Sequence, residues 1–547
     1  MNAVSENEKR TLTWLIKDRA SIYGEQVFLY YKDEKYSYKL LNENANRIAN
    51  ALKKLGIGKG DHVVTLLPNV PEYLYVWWGI TKLGAVEVPI NHNYKGEVLG
   101  DLINRSDAKA VFVWHDILDK LQAIQEQIGE LSLVIGHRLN EPLEGKDIEL
   151  DVKLRRYILK DLMDASTQDP DIKVYDYDPA NILFTSGTTG PPKGAIIPHG
   201  WIIHNCQDVL NKYMGTTQRD IFYNCYPMFN ATARYEIAIR ALSAGGKMVL
   251  TGRLEPKEFW SDIRRYNCTE FVSMGTAFAL IEKEPPSEED RNHTLEKVLC
   301  LPLPADFQKR CETRFGVKMA TGYGTTEIGY INFRSWESMS DSCGPANCGF
   351  EQRIVDEHGN PCQANEIGEI VVRPRKSHIM LKGYYKMPEA FEKRIRDCWW
   401  HTGDLGKVDE TGNLYFYRRK EESIRFHGYM ISLSEVEKVI NDIPAVIEAA
   451  CYGVADELGH EQDLMAAIKI KPGAGVSPQE ILGQCENKLP YFMIPAYIRF
   501  VESFDKTPTM RIIKTKLEKE GVTLDTWNRR KSGYRLRRDG QENKKAQ

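Results

Sequence analysis

The segment Phe184-Thr-Ser-Gly-Thr-Thr-Gly-Pro-Pro-Lys-Gly194 concentrates the residue types best suited to holding a phosphate. Its glycines let backbone N–H groups come close to an anion. Thr185, Ser186, Thr188 and Thr189 add hydroxyl donors, and Lys193 adds a positive charge. The apolar run Ile182-Leu-Phe184 delivers the chain into this loop as a buried strand would. The loop is not a Walker A sequence, because Lys193 follows Pro-Pro and no Ser or Thr follows the lysine. The competing reading is a flexible Ser/Thr/Gly linker, but a linker rarely follows a buried-strand pattern directly or ends in Pro-Pro-Lys-Gly.

Three further motifs follow: Thr321-Gly-Tyr-Gly-Thr-Thr-Glu327, Trp400-His-Thr-Gly-Asp404, and the stretch from Arg419 that ends in Phe426-His-Gly-Tyr-Met-Ile-Ser-Leu-Ser-Glu-Val-Glu437. Together with the loop they resemble, in order, the motifs of the adenylate-forming enzymes: acyl-CoA synthetases, firefly luciferase and peptide-synthetase adenylation domains. The resemblance runs from about residue 12 to about residue 520. It implies an ATP site made by Thr185, Ser186, Gly187, Thr188, Thr189, Gly190, Lys193, Tyr323, Gly324, Thr326, Asp404 and Arg419.

The residue chemistry agrees with those roles. Tyr323 offers a flat face for adenine. Thr326 offers a hydroxyl near the α-phosphate, and Glu327 a hard carboxylate for Mg²⁺. Asp404 can accept both ribose hydroxyls while Arg419 donates to the same sugar; alone, Asp404 would read as a turn residue.

The reaction implied by the resemblance has two halves. A carboxylate attacks the α-phosphate of ATP, giving an acyl-adenylate and pyrophosphate; a thiol then displaces AMP to give a thioester. Thr185, Lys193, Glu327 and Arg511 make up the catalytic set. Glu421 is the pivot of the small domain, and Gly428 and Tyr429 line the coenzyme A channel. The acyl pocket draws on Tyr226, Phe229, Asn230, Tyr235 and Gly275.

Within the family, Leu242-Ser-Ala-Gly-Gly-Lys-Met-Val-Leu250 and the Phe307 to Phe315 region resemble crotonobetaine/carnitine–CoA ligases. Tyr226, Phe229 and Tyr235 with Glu236 could cage a quaternary ammonium; the alternative is that they are ordinary core and pocket-wall residues. Three positions depart from the family pattern. Asn230 stands where a His is usual and cannot serve as a titrating base. Leu301-Pro-Leu-Pro304 replaces a Gly-rich adenine-contact loop. Arg511, after Met510, stands where the family has its adenylation lysine, with Lys514 as a rival for that role.

The elements that must carry these residues read as alternating helices and strands over the first ~180 residues. Ser37 precedes a helix with Ala45, Ile48, Ala49, Leu52 and Leu55 on one face and Gly56 as its stop. His62 to Pro68, Lys82 to Ile90 and Ala108 to Trp114 read as strands. Near the other end, Ser434-x-x-Glu437 is a capping box ahead of an apolar face of Val436, Val439, Ile440 and Ile443. Ala450 to Val454 and Leu464 to Ile470 read as strands, and Pro478 to Leu489 as a helix capped by Ser477. The expected architecture is α/β: a large N-terminal domain of adenylate-forming type (1–418), a hinge (419–422), a small mobile α+β C-terminal domain (423–527) and a basic tail (528–547). From Arg529 onward the tail holds eight Lys/Arg against Asp539 and Glu542 and reads as a solvated end.

Composition removes other classes. Of 547 residues, 42% are apolar and 27% charged, and 73 Lys+Arg against 76 Asp+Glu leave a net charge of −3. Wholesale disorder, collagen, coiled coil and a broadly basic nucleic-acid binder are excluded. The richest apolar run, Tyr75 to Ile90, is broken by Lys82 and Glu87, so no transmembrane span is expected. The polar start is not a secretory signal, and the eleven cysteines contain no Cys-x-x-Cys, which fits reduced thiols in a cytoplasmic protein. The leading expectation is an acyl-CoA synthetase using ATP, Mg²⁺ and coenzyme A on a small carboxylate, a homodimer being one open oligomeric state. Two alternatives are a free-standing adenylating enzyme that serves a carrier protein and a nucleotide-binding pseudoenzyme.

Overall fold

The computed structural model describes residues 5–129, 131–137, 153–185, 192–274, 277–347, 349–420, 423–426, 429–455, 462–489, 493–506 and 512–536. Ser186 to Gly190, Gly275, Glu421, Gly428 and Arg511 lie outside those residues, as does the tail beyond Leu536.

Local signals set the first elements. Ser37 accepts a hydrogen bond from the Leu40 amide and opens the helix Tyr38–Lys54, whose Leu41, Ala45, Ile48, Ala49 and Leu52 are buried. It packs on the helix Pro71–Lys82, which is buried along nearly its whole length. The run expected as one strand from Lys82 therefore divides: Lys82 closes that helix, and the strand proper is Val86–Pro89.

The two charges that interrupt the apolar run are buried with partners, as a charge removed from water requires. Lys82 reaches Asp169 at 3.2 Å, burial lowering its ammonium pKa and the aspartate pulling it back up. Glu87 pairs with Arg234, whose guanidinium lies 3.8 Å from the Trp77 ring centroid.

Three sheets build the large domain. A seven-stranded sheet is parallel from Arg155–Ile158 across to Pro179–Thr185 and ends in the antiparallel hairpin partner Lys193–Pro198. An eight-stranded sheet is parallel inside, with an antiparallel edge where Lys318–Thr325 meets Gly329–Arg334. A six-stranded antiparallel sheet contains Gly368–Pro374, Trp399–Val408 and Asn413–Arg419. Parallel strands covered on both faces read as continuous apolar runs, which is why the first part of the chain was legible as α/β.

The small domain is α+β. The strands Val446–Ala455, Gln462–Ile470, Tyr497–Phe500 and Trp527–Asn528 form one sheet, covered by the helices Leu433–Asn441 and Pro478–Glu486. Ser477 and Glu480 cap the second helix reciprocally.

Two expectations are corrected here. The first helix of this domain begins at Leu433, so Ser434 lies within its first turn. Glu437 accepts from the Cys451 amide at 2.6 Å and pairs with Lys514 at 2.7 Å, so its carboxylate also serves a neighbouring strand and helix. The basic tail starts later than expected. Arg529 is buried and donates to the Ile494 carbonyl at 3.0 Å, and Arg530 forks onto both oxygens of buried Asp463 at 2.8 and 2.6 Å. Among the described residues, no helix is long and apolar enough to cross a membrane.

Candidate active site

Thr185 and Lys193 are cross-strand partners at the open end of the hairpin Pro179–Thr185/Lys193–Pro198. The Thr185 hydroxyl donates to the Lys193 carbonyl at 3.3 Å, so both ends of the hydroxyl- and glycine-rich loop leave from one rung of the ladder. The Lys193 ammonium lies 5.4 Å from the ring centroid of Tyr384. Tyr384 is held beside the hairpin by a bridge to Ala195, and the Tyr385 amide donates to the Gly194 carbonyl at 2.8 Å.

Tyr384 also reaches the second motif. Its hydroxyl donates to Glu327 Oε1 at 2.8 Å, and the Glu327 carbonyl accepts from the Leu381 amide at 2.8 Å. Glu327 sits in the turn between Lys318–Thr325 and Gly329–Arg334, where Thr325 faces Gly329 and Gly324 faces Tyr330. Only glycine suits position 324, since a Cβ there would stand 2.3 Å from the Gly329 carbonyl oxygen.

The third motif arrives on the six-stranded sheet, where the register sets Asp404 directly opposite Arg419. Arg419 Nε lies 3.5 Å from Asp404 Oδ1, and Tyr323 donates to Asp404 Oδ2 at 2.6 Å. The Tyr323 ring is buried and stacks on Phe416, with centroids 5.9 Å apart. Burial, with the Asp404 charge beside it, holds the Tyr323 hydroxyl firmly protonated, so it acts as a donor to the carboxylate. Gly403 precedes Asp404 with φ +77°, and its amide donates to Glu369 at 3.1 Å. Burial works against the Glu369 charge, but His401 and Lys420 hold its pKa low.

Residues of the second and third motifs border one cavity of about 70 Å³, lined by Thr325, Glu327, Tyr384, Arg394, Asp404 and Arg419, and Lys193 meets it through Tyr384. It offers a carboxylate on one wall, a carboxylate–guanidinium pair on another, and hydroxyls between them. Tyr384 and Arg394 were not singled out from the sequence; they come from a stretch without a phosphate or metal pattern and reach the site only through packing.

The expected acyl residues that are described make different contacts. Asn69 ties down the loop before the helix: it donates to the Tyr226 and Thr251 carbonyls at 2.9 and 2.8 Å and accepts from the Met228 amide at 2.9 Å. Tyr226 stacks parallel to Phe271, and Phe229 meets His92 edge-on. Asn230 leads into the π-helical segment Thr232–Ile239. Tyr235 is fully buried between Trp77 and Trp201 and donates to Asn181 at 3.0 Å, so its ring belongs to the core and does not form a cage wall. Tyr429 lies on the short strand Tyr429–Ser432.

Comparison with known proteins gives a consistent result. The family model described as AMP-binding enzyme matches residues 16–385, and that of the AMP-binding enzyme C-terminal domain matches residues 435–511. A crotonobetaine/carnitine–CoA ligase of Salmonella typhimurium (strain LT2) is 29% identical over 92% of this chain and 97% of its own length, and one of Salmonella paratyphi B is similar to the same extent. Among solved structures, ATP-bound MatB from Rhodopseudomonas palustris superposes with a TM-score of 0.80 at 25% identity, covering 93% of this chain and 98% of its own. The anthranilate CoA ligase AuaEII with anthranoyl-AMP has a TM-score of 0.81 at 23% identity, covering 93% and 97%.

Proposed function

The chain belongs to the AMP-binding enzyme family, and from that premise we infer that the cavity seats ATP and that the chain joins a carboxylic acid to coenzyme A. It is an AMP-forming acid–thiol ligase. A carboxylate oxygen attacks the α-phosphorus of ATP and pyrophosphate leaves; the coenzyme A sulfur then attacks the acyl carbon and AMP leaves with the bonding electrons. The observation that carries this reading is the convergence of Glu327 and the Asp404–Arg419 pair on one cavity, with Tyr384 on its border joining Glu327 to Lys193.

In this reading Asp404 accepts the ribose hydroxyls and Arg419 donates to the sugar. Tyr323 positions Asp404 through its hydroxyl, its own ring being buried against Phe416. Lys193 and the hydroxyl loop bind the phosphates, so the task of the first half-reaction is positioning and charge stabilisation. Glu327 is the one carboxylate that would hold Mg²⁺, which takes few protein oxygens and keeps substrate phosphate and water as its other ligands. When bound, Mg²⁺ neutralises phosphate charge. Arg511 supplies the positive charge at the forming phosphate–carboxylate junction, and Gly428 with Tyr429 lines the path of the thiol.

The curated relatives are named for crotonobetaine and carnitine and the structural neighbours for other acids, so the substrate class proposed is a small carboxylate. The test is pyrophosphate release with short-chain, aromatic, alicyclic and betaine-like acids, with and without coenzyme A. Pyrophosphate is expected with at least one acid, and free thioester and AMP only when coenzyme A is present. Absence of pyrophosphate with every acid would overturn the reading.

A further inference from the structure

Asp404 owes its place on the cavity wall to a break in the sheet ladder. Val371 faces His401 and Glu369 faces Leu405, so Ile370 on one strand spans Thr402, Gly403 and Asp404 on the other. The surplus length is a bulge, which re-aims a side chain at the expense of backbone pairing. Side chains take up the amides it leaves over. Thr402 donates its hydroxyl to the Ile370 carbonyl at 2.7 Å and accepts from the Asp404 amide at 3.1 Å. The amide of Gly403, whose φ is +77°, donates to Glu369 Oε1 at 3.1 Å.

The second oxygen of Glu369 reaches the other strand. The pairing of Trp399–Val408 with Asn413–Arg419 ends on the Asp404–Arg419 rung, and Lys420 is the first residue past it. The Lys420 ammonium lies 3.5 Å from Glu369 Oε2, and His401 Nδ1 lies 3.2 Å from the same oxygen. One more rung would have set Lys420 opposite Gly403; in place of that pairing, one carboxylate holds both. Glu369 thus grips the residue before Asp404 and the residue after Arg419 without lining the cavity itself.

Glu369 is buried, and an apolar residue of its size would serve stability as well as a desolvated carboxylate does. An apolar side chain could neither accept from Gly403 nor hold Lys420. Ladder ends fray first, and here fraying would pass straight into Arg419 from the hinge that the family resemblance implies. We propose that Glu369 is a positioning residue for the nucleotide: it clamps the open end of the Asp404–Arg419 rung from both strands, so that carboxylate and guanidinium stay set for the ribose hydroxyls while the chain beyond Lys420 turns. The inference rests on the ligase reading above and adds to it how the ribose grip is kept apart from the hinge. Lys420 is half exposed and is the weaker arm of the clamp; the bond from the Gly403 amide is the stronger.

The test reads the ribose itself: kcat/KM for pyrophosphate release with ATP against 2′-deoxyATP, on the acid that the wild type adenylates fastest. Losing a hydroxyl that donates to a carboxylate should make the wild type prefer ATP by about 10–100-fold. Glu369→Ala removes both arms and is expected to bring that ratio close to one, through a higher KM for ATP with 2′-deoxyATP little affected. Glu369→Gln keeps an acceptor for the Gly403 amide, and Lys420→Met keeps Glu369 itself. Each loses only the ionic arm, so both should lower the ratio by about 2-fold. An unchanged ratio in Glu369→Ala, or an equal loss on both nucleotides, would show a role in stability alone and overturn the inference. Should Glu369→Ala not fold, an unchanged ratio in Lys420→Met overturns it in the same way. A wild type indifferent to the 2′-hydroxyl would also overturn it and leave the ligase reading standing. No pyrophosphate from any carboxylate would overturn the ligase reading and this inference with it.

Discussion

Glu327 and Glu236 are two carboxylates in one neighbourhood with different environments, and each supports a prediction. Glu327 borders an open cavity and accepts from Tyr384, a bond that Gln can also accept. Glu327→Gln should therefore fold normally, lose adenylation on the order of 10–100-fold, and need more Mg²⁺. A magnesium titration of pyrophosphate release checks this, and unchanged Mg²⁺ dependence would remove Glu327 as the metal ligand. For Glu236, burial is the largest influence and raises its pKa from 4.5 to about 7, while the Tyr330 hydrogen bond and the Arg240 charge oppose the rise; Cys206 is the other titratable group nearby. The raised pKa means that the fold prefers the protonated form. The associated stability is present below about pH 4.5 and is lost as pH rises through about 7. Glu236→Gln should consequently melt higher than wild type at about pH 8, by a few kcal/mol at most, with a smaller difference at about pH 5. Thermal melts across that range decide it; a difference that does not grow with pH would show that the carboxyl does not titrate as described.

Elements determine which of these groups can meet. The turn carrying Glu327 depends on the close approach of Gly324 to Gly329, so Gly324→Ala should strain the hairpin by about 1–3 kcal/mol and shift Glu327 as well. A lower melting temperature together with reduced adenylation is expected; adenylation at the wild-type rate would mean that the turn tolerates the shift. In the small domain, Arg511 lies outside the described residues, while its rival Lys514 opens the helix Lys514–Glu520 and pairs with Glu437, which also accepts from the Cys451 amide, so mutation has to separate the two. Lys514→Ala should cost roughly 1 kcal/mol of stability or less and leave adenylation close to wild type. Arg511→Ala should cost on the order of 10²–10³ in adenylation rate, while thioester formation from supplied acyl-adenylate is largely kept. The opposite pattern would transfer the role to Lys514.

At the scale of the whole molecule, the family resemblance implies that the small domain turns between the two half-reactions, with Glu421 as the pivot. Glu421→Pro fixes φ near −65° and removes an amide donor, so it should restrict that rotation. One half-reaction is expected to survive much better than the other when pyrophosphate release and thioester formation from acyl-adenylate are assayed separately. Equal loss of both, with an unchanged melting temperature, would count against rotation about this position.

The sequence by itself determined the chemistry and the local frame. The order of four motifs identified the family. Ser37, Ser477 and Pro478 marked helix starts because a cap acts on amides within one turn of itself. Asp404 and Arg419 were chosen as residue types that could share a sugar. Only tertiary structure decided that they are opposed on adjacent strands, that Tyr384 joins Lys193 to Glu327, and that Tyr235 faces the core while Glu236 meets Tyr330. The Ser434–Glu437 pair shows the limit of the local reading: the spacing marked the helix start to within a turn, but it could not show that Glu437 also takes an amide on a neighbouring strand. Arg529 and Arg530 show the same limit for charge, since a basic run reads as solvated until Asp463 is brought beside it. In each case the deciding contact joins residues far apart in the chain or on different faces of one element. Sheet register and packing set such contacts, and residue spacing along the sequence does not encode them.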